Sequence, residues 1–501
     1  MIDNKQIDVK GNVSPKELLK RLDNLNWSRW HTKITIILAL GWAFDAFEVT
    51  IVSAVLSTLK LYFGISKVQA TSITIVWLMG SLVGALSFGY FADRFGRKLA
   101  FVVTILGYSL MTIVTACSFH FPFFLVFRFL TAVGVGAEYT AVNATISEFI
   151  PSKHRGKVNT MVMGFWSLGA LIAYGLQYPL LKYLDNNLAW RIGFALGGTA
   201  AIFVLFARKS LPESPRWLII QGRFDEARQI VEEIEISAKQ PDNKLSINYD
   251  PANDTSQFAT HQKYSYFRVV KELVTKYPFR LAFGMVLNSS QAFADYGVSN
   301  LLSLGVLGDS GIKDANVALF YLYGVFLTVP GFLLPVFLID RIGRKILLPC
   351  LYILGIIAVA CFIPAYYSSN PASSLTGAHC FYQFAYTALW VTVYPAFTEA
   401  FPTHVRATGI GFAVAFGRIC ASVSPTILVA VYTYLGSKGP DDNAKNIVAA
   451  CGIIFAFFGC GLLMCLAWAI WGVEGKNRSL EDMNADSKAE QIKDVESSFK
   501  N

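Results

Sequence analysis

Residues Gly84–Lys98 read GALSFGYFADRFGRK and place one acidic and three basic residues between two long apolar stretches. Each flank is apolar for about twenty residues, enough for a membrane-spanning helix at roughly 1.5 Å of rise per residue. A charged turn between two such spans belongs at a membrane surface. The segment recurs as Gly331–Lys345, GFLLPVFLIDRIGRK, with Asp, Arg, Gly, Arg and Lys in the same order. The sequence therefore predicts an internal repeat.

A second pair of matching segments supports the same repeat. Glu148–Gly156 reads EFIPSKHRG, and Glu399–Gly409 reads EAFPTHVRATG. The offset between these two segments is close to the offset of the first pair. Two halves that carry both signatures in the same order indicate a duplicated six-helix bundle.

The charged turn and its repeat resemble the signature loop of the major facilitator superfamily. Arg208–Leu218 (RKSLPESPRWL) resembles a segment shared by sugar porters and organic-ion transporters, and Val473–Glu481 is similar to the sugar-porter C-terminal motif. Gly41–Glu48 (GWAFDAFE) is similar to the organic-ion branch that includes niacin and synaptic-vesicle-like proteins. The resemblance spans residues 33 to about 481. It implies an all-α integral membrane protein, with twelve transmembrane helices in two pseudo-symmetric six-helix bundles.

Composition supports a membrane protein independently of these motifs. The chain has 501 residues, of which 54% are hydrophobic and 15% charged, and its mean hydropathy is +0.45. A soluble protein carries about a quarter charged residues. The net charge of +9 is segregated into short loops, so it indicates topology and not nucleic-acid binding. Residues 1–30 are polar and mixed in charge, and we expect no cleavable signal peptide.

The apolar stretches predict twelve spans. They cover residues 33–59, 71–92, 99–118, 122–144, 158–181, 190–208, 279–306, 315–339, 346–367, 374–398, 406–435 and 446–472. One set of loops holds the basic residues Arg94, Arg97, Lys98, Lys153, Arg155, Lys157, Arg341, Arg344, Lys345 and Arg406. The positive-inside rule places these loops and both termini in the cytoplasm of a multi-pass plasma-membrane protein.

The spans divide the chain into five parts. These are a cytoplasmic segment (1–32), an N-terminal bundle (33–208), a cytoplasmic linker (209–278), a C-terminal bundle (279–472) and a cytoplasmic tail (473–501). In the linker, Phe224–Ile236 has apolar residues at helical spacing, and we predict one or two amphipathic surface helices followed by a flexible stretch. The linker has too few apolar residues to form a core of its own, so we expect it to be a tether between the halves and not a regulatory domain. All eight cysteines fall in or at the edges of apolar spans, and we expect no disulfide framework, metal or cofactor.

Charged residues inside spans are costly and call for a function. Asp45 and Glu48 share one face of the first span, about 18 and 22 Å from Lys33. Arg128 lies about 9 Å below the outer end of the fourth span, so Glu48 and Arg128 are expected at similar depth. An acid that meets Arg128 in only one conformation changes its proton affinity, which would couple transport to protons. The alternative is a static ion pair. The resemblance aligns Glu48 with the first-helix Asp of proton-coupled sugar porters, and Asp45 is additional.

A second set of charges is expected to form a cytoplasmic gate that holds the outward-facing state. The set comprises Asp93, Arg94, Arg97, Glu138, Glu148, Arg155, Asp340, Arg341, Arg344, Glu399 and Arg406. The resemblance favours gating. The alternative is ordinary interfacial charge, which is worth little pair by pair.

Arg418 is the remaining cation deep inside a span, near the membrane midplane between Gly417 and Pro425. Arginine grips carboxylate or phosphate through two N–H groups, so Arg418 is a candidate for binding an anionic solute. The alternative is an internal pair with Asp295. Further candidates for the solute site are Asn288, Gln291, Asp295, Tyr296, Trp166, Gln383, Tyr386 and Tyr394. Each aromatic residue alone is more often packing than a ligand contact.

Several features of sugar porters are missing. Met285 and Val286 stand where sugar porters carry paired glutamines, Met163 or Ala170 replaces their fifth-helix glutamine, and Tyr394 replaces a tryptophan. We therefore expect a proton-coupled symporter of a small anionic organic solute. The alternatives are a proton-coupled or facilitative sugar transporter and, third, a transporter-like nutrient sensor. No pattern indicates an enzyme. The expected partners are the solute, protons and the lipid bilayer, with no nucleic acid, and the protein is expected to be a monomer.

Overall fold

The structure is a computed structural model that describes residues 15–208, 211–238, 266–313, 315–401, 405–434 and 440–472. The predicted flexible stretch of the linker and the motif Val473–Glu481 lie outside the described residues.

Twelve long helices form the body of the molecule. They are α1 (Arg29–Phe63), α2 (Ser72–Phe95), α3 (Arg97–Ala116), α4 (Phe121–Phe149), α5 (Ser152–Tyr183), α6 (Asn186–Arg208), α7 (Pro278–Leu301), α8 (Ala315–Ile342), α9 (Arg344–Ala360), α10 (Pro371–Ala400), α11 (Arg406–Tyr434) and α12 (Pro440–Trp471). Four short helices flank three of them: Lys67–Ala70 precedes α2, Leu302–Val306 (a π-helix) and Leu307–Asp309 extend α7, and Phe362–Tyr366 follows α9. Among the described residues, eight of the long helices are long and apolar enough to cross a membrane.

The two halves pack alike. In the first half α1 packs along α5 and α2 along α4, and in the second half α7 packs along α11 and α8 along α10. These pairs correspond under a shift of six helices. The halves meet mainly through α5 against α8 and α2 against α11. The expected architecture of two related six-helix bundles is confirmed.

The repeated sequence motif forms the same turn twice. Gly96 separates α2 from α3 with φ 96° and ψ 158°, and Gly343 separates α8 from α9 with φ 89° and ψ 159°. Side chains other than glycine rarely adopt such positive φ values. We call the end of the molecule that carries these two turns the basic end and the opposite end the far end.

Helix ends differ from the predicted spans because caps, and not hydrophobicity, set them. Helix α1 starts at Arg29 and not 33, since Ser28 and His31 form a capping box. It continues to Phe63, where Gly64 adopts a left-handed conformation with φ 63°. A run of apolar residues indicates which part of a helix lies inside the membrane. The helix itself extends beyond that run until it reaches a capping residue.

Two helices of the linker pack against the N-terminal segment, and the role of the linker as a tether between the halves stays a prediction. Pro215–Ile220 and Phe224–Ser237 enclose a small apolar cluster with the N-terminal helix Pro15–Asp23. The cluster contains Leu18, Leu22, Leu25, Phe149, Trp217, Leu218, Ile219, Ala227, Val231 and Ile234. Arg21 donates to Glu235 at 2.8 Å, which raises the pKa of the Arg21 guanidinium. The linker helices therefore belong to the N-terminal half, through an N-terminal helix that the sequence reading missed.

Candidate functional site

A buried ion pair joins α1 and α4. Arg128 donates through Nη1 to the Glu48 carboxylate, and its Nη2 lies 3.5 Å from the Glu48 backbone oxygen. The exposed fractions are 1% for Arg128 and 3% for Glu48. The Trp77 ring centroid lies 4.2 Å from the guanidinium carbon, a cation–π distance. Two desolvated charges in contact are strongly coupled, because removing one leaves the other buried.

Asp45 is also buried, one turn closer to the basic end than Glu48 on α1. The sequence predicted the depth at which Glu48 and Arg128 meet. The cation–π partner Trp77 on α2 was not predicted, since one tryptophan in an apolar span carries no distinctive signal. The proton-coupling role of Glu48, Asp45 and Arg128 stays a prediction.

A central cavity of about 220 Å³ lies between the two halves. Every side chain predicted for the solute site lines it: Trp166, Asn288, Gln291, Asp295, Tyr296, Gln383, Tyr386, Tyr394 and Arg418. Arg128 also reaches its wall. The cavity thus combines two guanidinium groups, one carboxyl group, amides and aromatic rings.

Helix α11 brings Arg418 to the cavity beside α7. Arg418 Nη1 lies 3.4 Å from the Tyr296 hydroxyl. The preceding residue, Gly417, packs against the side chain of Asn288, which a Cβ atom at this position would overlap. Glycine therefore permits the close approach of α11 to α7 that sets Arg418 next to the amide groups.

Aromatic rings bound the cavity toward the basic end. The Trp42 and Trp166 ring centroids are 5.7 Å apart, and Trp166 lies 6.4 Å from Trp390 of the other half. Trp390 in turn lies 5.4 Å from Tyr394. Sequence reasoning identified Trp166 and Tyr394 but missed Trp42 and Trp390, although both stand in spans that carry other candidates.

Hydroxyl and amide groups join the two halves at the far end. Ser53 lies 3.0 Å from Ser299 between their hydroxyl oxygens, and Thr74 donates to Asn300 at 3.0 Å. Ser303, in the π-helical segment, donates to the backbone oxygen of Ser53 at 3.0 Å. We call these contacts the far-end seal. In this conformation the seal holds the two halves together at the far end.

Arg97 connects several elements at the basic end. Its Nη2 pairs with Glu148 at 2.8 Å, and its Nη1 donates to the Ala92 backbone oxygen at 2.7 Å. The Arg97 backbone N–H donates to the Glu213 carboxylate at 2.8 Å. Glu213 thereby caps the N-terminus of α3, where helix N–H groups lack partners. Glu213 belongs to the motif Arg208–Leu218, whose sequence does not predict this capping contact.

The other predicted gate residues are distributed around the same end. Glu138 is buried in α4, whereas Arg94 and Arg341 are exposed and Arg344 is half-buried. The side chains of Asp93, Arg155, Asp340, Glu399 and Arg406 lie outside the described residues. The gating role of the set stays a prediction.

Twelve helices in two related bundles around a polar cavity are the architecture of a membrane transporter of the major facilitator type. The chain belongs to the sugar (and other) transporter family, whose model matches residues 14–486. It is 30% identical over 414 residues to the niacin transporter NiaP of Acinetobacter baylyi, covering 82% of this chain and 90% of that protein.

Two further similarities widen the comparison. The cis,cis-muconate transport protein of Acinetobacter baylyi is 26% identical over 439 residues, covering 87% of this chain and 94% of that protein. The fold matches the inward-open conformation of the xylose transporter XylE from E. coli with a TM-score of 0.68 and 20% identity. That match covers 91% of this chain and 99% of the transporter.

Proposed function

We propose that the protein is a proton-coupled symporter of a small organic solute bearing an anionic group. In this proposal it works by alternating access in the plasma membrane, with the basic end and both termini in the cytoplasm. The observation that carries the proposal is the Arg418 guanidinium in the wall of the central cavity. A guanidinium presents five N–H donors in a rigid fork that matches a carboxylate.

Two relatives support an organic acid. Niacin and cis,cis-muconate, the solutes in their names, are both carboxylic acids with an unsaturated carbon skeleton. The cavity of this chain offers the matching chemistry, with a guanidinium for the carboxylate and the rings of Trp166, Tyr296 and Trp390 for a flat apolar part.

The proton pathway is proposed to centre on Glu48. In the conformation with a closed far-end seal, Glu48 is bonded to Arg128. Once the far-end seal opens, protonation from the far end would release Glu48 from Arg128. While both ends of the cavity are closed, the protonated Glu48 would carry no charge, so the protein would not have to bury an ionised carboxylate away from water. Asp45 would assist or share the proton.

The basic end is proposed to carry the opposing gate. Arg97 and Glu148 hold the ends of α3 and α4 together, and Glu213 ties the linker to the same point. With Asp93, Glu138 and the equivalent charges of the second half, these groups would stabilise the state that is closed at the basic end.

A sugar is the second candidate because amide groups line the cavity. Asn288, Gln291, Asn300 and Gln383 can each donate to and accept from hydroxyl groups. The solved structures with the same fold include a proton:xylose symporter bound to a glucose derivative. A sugar, however, has no carboxylate for the planar fork of Arg418 to grip.

The solute class is tested with Arg418→Lys, which keeps the charge but loses the planar fork. For niacin we expect the binding free energy to weaken by roughly 1.5–3 kcal/mol, the size of a charge-assisted hydrogen bond. Nicotinamide, which lacks the carboxylate, and xylose should be affected far less. Affinity is measured by solute-induced thermal stabilisation of the purified protein and by uptake into proteoliposomes.

Arg191→Lys serves as the matched control. Arg191 lies near the N-terminus of α6, at the far end of the molecule, and donates to the Tyr62 hydroxyl and the Ala116 backbone oxygen. Unchanged affinity for every anionic solute in Arg418→Lys would contradict the proposal. Xylose binding that depends on Gln291 and Asn288 would establish the sugar alternative.

A further inference from the structure

A second cavity, of about 240 Å³, lies in the seam between α5 and α8. Gly164, Phe165, Ser167, Leu168 and Leu171 form one wall, and Val325, Phe326 and Val329 form the other. All of these residues except Ser167 are apolar or glycine. We call this cavity the seam crevice.

The seam crevice opens toward the lipid. At its rim Phe326 is 55% exposed, Val329 49% and Leu168 38%, whereas Val325 on its floor is 4% exposed. The residues straddle the midpoints of both helices, since α5 runs from Ser152 to Tyr183 and α8 from Ala315 to Ile342. At that depth the surrounding medium is the hydrocarbon core of the bilayer.

The seam crevice and the central cavity share a thin partition. Gly164, Ser167 and Val325 line both. Thr328 donates to the Ser167 hydroxyl at 2.7 Å and thereby joins the two halves at this point. A Cβ atom at Gly164 would come within 2.9 Å of the Phe332 ring, so glycine keeps the wall thin. One interhelical hydrogen bond with its apolar neighbours therefore separates lipid from the polar cavity.

We propose that the seam crevice is a binding site for one hydrocarbon chain of a bilayer lipid. The depth excludes polar headgroups, and the walls offer only apolar contacts apart from the Ser167 hydroxyl. An unfilled crevice would forfeit the dispersion contacts of both walls. The bound chain also keeps water away from the Ser167–Thr328 hydrogen bond, and it lies in the seam along which the two halves move against each other.

The test uses the full chain in phosphatidylcholine vesicles doped with the same lipid carrying a diazirine near the end of one acyl chain. After irradiation, mass spectrometry locates the labelled residues. Labelling at 164–171 and 325–329 should exceed labelling around Leu106 on α3 and Ile353 on α9. These two control positions are 45% and 48% exposed at the middle of their helices, away from the seam.

Filling the seam crevice with a larger side chain should abolish the excess of photolabelling at the seam over the control positions. Leu168→Trp and Val329→Trp approach it from opposite walls, so one remains informative if the other fails to fold, and Leu106→Trp is the matched control. Seam labelling should fall to the control level in either filled variant and persist in Leu106→Trp. Equal labelling of seam and control faces would overturn the proposal, as would excess labelling that survives both filled variants. Loss of seam labelling on adding excess niacin or xylose would assign the crevice to solute instead.

Discussion

At the scale of single residues, the Glu48–Arg128 pair sets the expected coupling behaviour. Glu48→Gln mimics the protonated acid and keeps an oxygen that can accept from Arg128. We expect the variant to lose proton-driven accumulation of solute while it retains solute binding and exchange. Accumulation under an imposed pH gradient is measured beside counterflow exchange without a gradient.

Asp45→Asn is the matched control one turn away on α1, and it should weaken coupling less. Glu48→Gln needs a stability check, because an arginine left buried without its charged partner costs about 3–5 kcal/mol. Thermal unfolding in detergent separates that loss from a loss of coupling. Accumulation that survives in Glu48→Gln but not in Asp45→Asn would reverse the two roles, and accumulation in both would contradict the mechanism.

The sequence predicts charged site residues better than uncharged ones. A carboxyl or guanidinium group inside an apolar span stands out, and depth counting then indicates that Glu48 meets Arg128. Ser53 and Trp77 belong to common residue types of membrane helices, so their positions give no comparable signal. Their roles depend on which helix faces which, and that is a property of the tertiary fold.

At the scale of elements, the glycine turns at the basic end give a prediction about stability. Alanine at Gly96 or Gly343 would have to adopt a positive φ with ψ near 158–159°, a region almost confined to glycine, at a cost of about 1–3 kcal/mol. At Gly96 the added Cβ would also collide with the Glu213 carboxylate. We therefore expect both Gly96→Ala and Gly343→Ala to lower the midpoint of thermal unfolding.

Gly107→Ala is the matched control within α3, since Gly107 is helical and a Cβ there meets no atom within 4 Å. This variant should be neutral or more stable, because alanine has the higher helix propensity. Gly96→Ala combined with Glu213→Gln should destabilise by less than the sum of the single changes, as both disturb one contact. Strict additivity would argue against the role of Glu213 as a cap.

The elements outside the spans were the hardest to read from sequence. The pattern over Phe224–Ile236 predicts a helix, and a helix runs from Phe224 to Ser237. The N-terminal helix Pro15–Asp23 went unpredicted because its apolar surface is small. Its partners Trp217 and Val231 lie about two hundred residues further along the chain, so only the folded structure reveals the shared cluster.

At the scale of the whole molecule, the internal repeat predicts the architecture but not the conformation. Two matched pairs of loops are enough to indicate two related bundles, and the paired glycine turns reproduce that symmetry in the backbone. The relative tilt of the bundles depends on contacts such as Ser53 with Ser299, which are 246 residues apart. Hydrogen bonds between hydroxyl groups suit the far-end seal, which must open and close, since each contributes only about 1 kcal/mol.

The far-end seal yields the final prediction. After replacement of the native cysteines, Ser53→Cys with Ser299→Cys should form a disulfide, because the two hydroxyl oxygens are 3.0 Å apart. Oxidation should stop transport in proteoliposomes, and a thiol reductant should restore it, since the two halves must separate there for the cavity to reach the far end. Ser368→Cys with Ser374→Cys is the control, a hydroxyl pair at 2.8 Å within one half. Its oxidation should leave transport intact, whereas undiminished transport by the crosslinked 53–299 variant would exclude opening at the far-end seal.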